Sequence, residues 1–211
     1  MRIPLSQFYT PVRDERKHIL FIGDIFDGNK EETLSPIRKM LSTEYYCLTN
    51  TIFRNPADMS MFTKITCSRE ESKPDLIVAY GSGATLAAQI KGIDKVLIKP
   101  YYCTSNMLAN ILGKKGQKQR IELPSSGQPK YLTVIRPMVW EWKKLEENAK
   151  QNGYNNDAHS LFFATDIESA TYKEHIRLFG DAVILPGENI YDPKGIESVA
   201  TFIKGTLEAE R

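Results

Sequence analysis

Residues 76–88, L-I-V-A-Y-G-S-G-A-T-L-A-A, constrain the fold more than any other stretch of the chain. A near-continuous apolar run of this length reads as a strand covered on both faces. The Gly-Ser-Gly turn and the small residues after it let a helix start abruptly and pass close to its neighbours. Further short apolar runs occur at 18–22, 44–48, 95–98, 159–164 and 181–185. Between them, stretches with helical periodicity fall at 29–41, 57–68, 168–178 and 193–207, the last opening on Pro193, which suits a first helical turn. Alternation of this kind predicts a three-layer α/β/α sandwich with a mostly parallel sheet.

With 211 residues and 41% hydrophobic content the chain can bury one sizeable core, so a single domain over 1–211 is expected. Residues 106–151 break the rhythm. They hold a short helix near 107–112, a polar stretch punctuated by Gly and Pro over 113–130, and an aromatic helix over 137–151 with Trp140 and Trp142. Such an excursion is a candidate lid over the C-terminal edge of the sheet, with at least one of the two indoles packing its helix on the core. The formal net charge of +2, from 28 basic and 26 acidic residues, implies no field that recruits nucleic acid or a membrane. The one local excess, Lys114, Lys115, Lys118 and Arg120, lacks interleaved aromatic residues and reads as a solvated loop. Three widely spaced cysteines form no metal knuckle and no closed disulfide set, and the N-terminal residues carry no secretion pattern. A soluble, cytoplasmic protein without metal or cofactor is the expectation.

The turn after Tyr80 can be matched to the strand-to-helix motif G-x-S-x-G in two registers. One places Gly81 at the central position, with Ala79, Gly83 and Ala84 as the small flanking residues. The other places Ser82 there but sets bulky Tyr80 at the strand end. A third reading is an ordinary turn capped by Ser82.

The order of these pieces resembles the α/β-hydrolase superfamily, and more closely the compact bacterial YqiA-like esterases. The carriers are the turn around Gly81, the run Val96, Leu97, Ile98, Lys99 and Pro100, the strand ending at Asp166, and the loop from Pro186 to Tyr191. The resemblance implies a reduced α/β-hydrolase fold. It also implies an oxyanion turn at Gly23, a nucleophile at Gly81, an acid at Asp166 with Glu168 as its near substitute, and a base at Asn189. Glycine has no nucleophile, and a neutral amide has no useful basicity near pH 7. His18, His159 and His175 offer no replacement, the first two lying at the opposite strand ends and the third in mid-helix, expected exposed.

The expected function is therefore that of a catalytically inactive esterase relative. It would bind a small or acyl ligand in a pocket lined by Gly23, Asp24, Tyr80, Gly81, Ser82, Tyr101, Asp166, Asn189 and Tyr191. One alternative is an active serine esterase using Ser82 with an atypical base. Another is a protein-interaction module built on Trp140 and Trp142. Asp24 and Asp27 could also serve a phosphoryl-transfer site, but the supporting lysine is not evident. Neither Gly23 nor Gly28 supplies a dinucleotide fingerprint.

Overall fold

The computed structural model describes residues 15–27, 33–51, 54–66, 73–125, 128–152 and 157–209. Six strands form one sheet: β1 (His18–Ile22), β2 (Tyr46–Thr51), β3 (Leu76–Tyr80), β4 (Asp94–Ile98), β7 (Ala158–Phe163) and β8 (Val183–Leu185). Their order is β2-β1-β3-β4-β7-β8, and every pairing is parallel. The helices are α1 (Ser35–Leu41), α2 (Pro56–Thr66), α3 (Ser82–Ala87), α4 (Thr104–Leu112), α5 (Arg136–Asn152), α6 (Ala170–Phe179) and α7 (Pro193–Ala209). The six apolar runs read from the sequence are these six strands, with ends that differ by at most three residues.

Because side chains alternate along a strand, each strand feeds two cores. Ile19, Phe21, Val78, Val96 and Leu161 meet Ile37 and Leu41 of α1 and Val199, Ile203 and Leu207 of α7 on one face. Leu20, Ile22, Ile77, Ala79 and Leu97 meet Met59 of α2, Leu86 of α3 and Trp142 of α5 on the other. Burial on both sides explains why the strands read as continuous apolar runs. From β1 the chain leaves over one face to β2, and from β2 it returns over the other face to β3. The ends of β1 and β3 therefore frame a crevice where strand order reverses.

Two expectations need correction. The stretch read as polar, 113–130, holds the first strand of an antiparallel hairpin, β5 (Lys118–Leu123), whose second strand, β6 (Lys130–Ile135), follows it, separate from the main sheet. Its strands read as polar because few of their side chains turn inward: Leu123, Leu132 and Val134 join the core cluster under α5, and Ile121 packs half-buried against it. The helix expected over 29–41 is helical from Ser35, and residues 28–32 lie outside those described. Residues 106–151 thus comprise most of α4, the hairpin and α5, and α5 is one of the helices of its layer. Its Trp142 is fully buried while Trp140 is 63% exposed.

Candidate functional site at the strand-order reversal

At the end of β3 the backbone turns at Gly81 with φ 61° and ψ −122°, a conformation open to glycine almost alone. Its N–H donates to the Ile98 carbonyl at 3.0 Å, which ties the turn to the end of β4. A Cβ at Gly81 would lie 2.5 Å from Asp24 Oδ2 and 2.8 Å from Tyr101 Cε1. The space over the apex of this turn is filled by those two side chains. Gly83 is required for a different reason: a Cβ there would sit 2.3 Å from the Gly23 carbonyl oxygen. That contact lets α3 lie against the end of β1.

Ser82 is the first residue of α3 and has no exposed surface. Its hydroxyl donates to Asp24 Oδ1 at 2.8 Å and accepts the Ile25 N–H at 2.9 Å. Asp24 Oδ1 also accepts the Phe26 N–H at 3.1 Å, and Asp24 Oδ2 accepts the Tyr101 hydroxyl. The buried carboxyl is thus the hub joining the loop after β1, the turn after β3 and the loop after β4. Burial raises its pKa above the usual carboxylate range, against the lowering effect of its hydrogen bonds. Burial, and then the Asp24 carboxylate, likewise hold the Tyr101 hydroxyl well above its ordinary value.

A second carboxyl stands beside the first. Asp27 accepts from Thr33 Oγ1 at 3.1 Å, and Thr33 shares a 3.2 Å hydrogen bond with the Tyr191 hydroxyl, which links this edge to the loop before α7. Burial and then repulsion from Asp24 raise the Asp27 pKa to about 6. Tyr80, at the end of β3, is pushed up by burial and then by Tyr191 and Asp24.

Asp166 and Asn189 do not join this network. Asp166 closes a 3-10 turn (Ala164–Asp166) after β7; it accepts the Phe163 N–H at 3.0 Å and pairs with Lys99 Nζ at 2.6 Å. Lys99, which follows β4 directly, is the one non-glycine residue with positive φ (46°) among the described residues. Asn189 turns its amide oxygen onto its own loop, accepting from the Tyr191 and Asp192 N–H groups at 2.8 and 3.2 Å. Sequence reasoning did not single out Lys99. A cation in the position after an apolar strand, at the ligand edge of the sheet, was the available signal.

Among the histidines, His175 is buried, not exposed as its mid-helix position suggested. It sits among Tyr102, Phe162 and Phe179, with Nδ1 3.1 Å from the Tyr102 hydroxyl and Nε2 3.1 Å from the Asp181 carbonyl. A carbonyl only accepts, so Nε2 carries the proton and Nδ1 accepts from Tyr102. Burial lowers the His175 pKa. His18, within β1, rests on Tyr46, and His159 in β7 meets Phe202. None of these contacts is to the turn after β3. No group of three or more His, Cys, Asp or Glu side chains placed to hold a metal ion occurs among the described residues.

No protein-family model matches the sequence, and no curated protein resembles it in sequence. Solved structures do match its shape. Est1E from Butyrivibrio proteoclasticus superposes with a TM-score of 0.63 at 11% identity, over 94% of this chain and 90% of that one. The esterase domain of a Rhodothermus marinus protein gives 0.56 at 15% identity, over 93% and 87%. A variant of tomato methylketone synthase I complexed with beta-ketoheptanoate gives 0.56 at 9% identity, over 94% and 99%. The chain shares the fold of these three structures. At such identities the likeness establishes the α/β fold alone, and the chemistry rests on the site itself.

Proposed function

We propose that this chain is a hydrolase-fold protein that does not hydrolyse esters and instead binds a small carboxylic acid or acyl compound at the strand-order reversal. The observation that carries the reading is the bare, left-handed apex at Gly81, with Asp24 and Tyr101 occupying the nucleophile's place. Catalysis by the serine route needs an accessible hydroxyl, a base that takes its proton and a group that orients the base. Asp166, at the acid position, is committed to Lys99, and Asn189 to its own loop. What remains at the edge is a rim of Tyr80, Tyr191, Asp27 and Lys99. Two structures of similar shape carry small carboxylic acids, ferulic acid on Est1E and beta-ketoheptanoate on the methylketone synthase variant, which supports that ligand class.

One observation favours a second reading: Ser82 donates to a carboxylate, as an activated serine would. Against it, Ser82 is sealed from solvent and also accepts a backbone N–H. Assays with p-nitrophenyl acetate and butyrate, paired with fluorophosphonate labelling, separate the two. The expected result is no turnover above the uncatalysed rate and no labelling. Turnover abolished by Ser82→Ala, with labelling of that serine, would establish the active-esterase reading instead. Ligand-observed NMR with ferulic acid and short fatty acids tests binding, which Lys99→Ala and Tyr191→Ala should weaken.

A further inference from the structure

Charge is segregated in this molecule. Residues 104–152 hold nine Lys or Arg and four Glu, a net +5, while the rest of the chain is at −3. The same segment exposes Trp140, Tyr131, Ile135 and Met107. Cations and aromatics that are separate in sequence are brought together by the hairpin. Register places Arg120 opposite Thr133 and Lys118 opposite Ile135, and the Arg120 guanidinium lies 3.8 Å from the centre of the Tyr131 ring. Arg136 follows Ile135 directly, and its guanidinium binds the carbonyls of Gly113, Lys114 and Gly116, fixing the turn that carries Lys114 and Lys115. Trp140 is one helical turn beyond Arg136 on the same face of α5, and Lys143 and Lys144 stand three and four residues further along.

We propose that this band, from Tyr131 and Arg120 through Lys118 to Trp140 and Lys144, binds single-stranded nucleic acid. Sequence-independent binding of a single strand needs cations for the phosphates and flat side chains on which bases stack, and an arginine plane serves as well as a ring. Both are present here, with Lys118 and Arg120 two residues apart on one strand and so about 7 Å apart along it. An anionic membrane is the poorer fit. The outward face of the hairpin also carries Thr133 and Glu122, which leaves few apolar side chains to enter a bilayer. The inference is independent of the proposed binding of a carboxylic acid or acyl compound and survives its failure.

The test is fluorescence anisotropy of labelled 20-nucleotide oligo(U) and oligo(dT) with the full chain. Four phosphate contacts would weaken binding roughly 50-fold between 50 and 200 mM salt, from a slope of about 0.7 per contact. Trp140→Ala should weaken it by about 5- to 150-fold, the range for loss of one stacked base. Lys118→Glu with Arg120→Glu should weaken it at least as much, and Lys173→Glu on α6, outside the band, should not. Preference for oligo(U) or for oligo(dT) tells RNA from DNA, and either supports the proposal. No binding at 50 mM salt overturns it, as does binding indifferent to all three band substitutions. Cosedimentation with phosphatidylserine vesicles but no oligonucleotide binding would assign the band to membranes instead.

Discussion

Gly81 meets two demands at once, a positive φ and the absence of a side chain beneath Asp24 and Tyr101. Gly81→Ala violates both, and its cost is expected to be about 2–4 kcal/mol, combining backbone strain with overpacking. Urea unfolding measures it. The Asp24 part of the crowding is separable: in an Asp24→Ala background, which itself frees Ser82 and Tyr101 from their acceptor, the further cost of Gly81→Ala should shrink to the strain and the remaining contact with Tyr101. Equal costs in both backgrounds would show that the carboxyl does not crowd the apex. The same crowding predicts that Gly81→Ser creates no esterase, because the new hydroxyl would have neither room nor a histidine within reach. Appearance of turnover with p-nitrophenyl acetate in that single variant would contradict the geometry described for Asp24 and Tyr101.

At the scale of elements, the two tryptophans of α5 make opposite predictions from opposite faces of one turn. Trp142 fills the cluster under the sheet, and its indole N–H donates to the Arg54 carbonyl at 3.0 Å, holding the chain just before α2. Trp142→Ala should cost about 3–5 kcal/mol through the cavity it leaves. Trp140→Ala should change stability by less than about 0.5 kcal/mol. Chemical denaturation of the pair distinguishes them, and similar losses would mean that Trp140 is packed. The sequence announced the parallel sheet because strands buried on both faces are apolar at every position. It concealed the hairpin because β5 buries little beyond Leu123, so its pattern is that of a solvated loop. His175 was misjudged for a related reason: helical periodicity marks apolar faces, and a histidine satisfied by a tyrosine hydroxyl and a carbonyl can lie within one. At the site, Asp24, Ser82, Tyr101 and Gly81 were legible as neighbours from their positions at strand ends. That they bond to one another, and that Lys99 takes Asp166, depends on side-chain directions which spacing does not encode.

Across the whole molecule, two titratable groups in separate regions give stability opposite pH dependences. Asp27 has its pKa raised from 3.8 to about 6, so the folded state holds a proton that the unfolded state has released. Its contribution therefore falls as pH rises from about 4 to about 6, and the deficit persists above that. Because Asp27 is partly exposed, the deficit is discounted to the order of 1–2 kcal/mol. His175 has its pKa lowered from 6.5, so the folded state resists the proton that the unfolded state takes up, and stability falls as pH drops below 6.5. The two offset each other in mild acid, and wild-type stability there should be flatter than either variant's. Asp27→Asn should match the wild type near pH 4 and exceed it progressively up to pH 6. His175→Gln, which keeps an amide near Tyr102 and the Asp181 carbonyl, should gain on the wild type only as pH falls below 6.5. Taking each variant's unfolding free energy relative to wild type at pH 4, 5, 6 and 7.5 cancels the remaining carboxylates. Difference curves that are flat, or that slope the same way for both variants, would show that these two burials do not set the acid limb of stability.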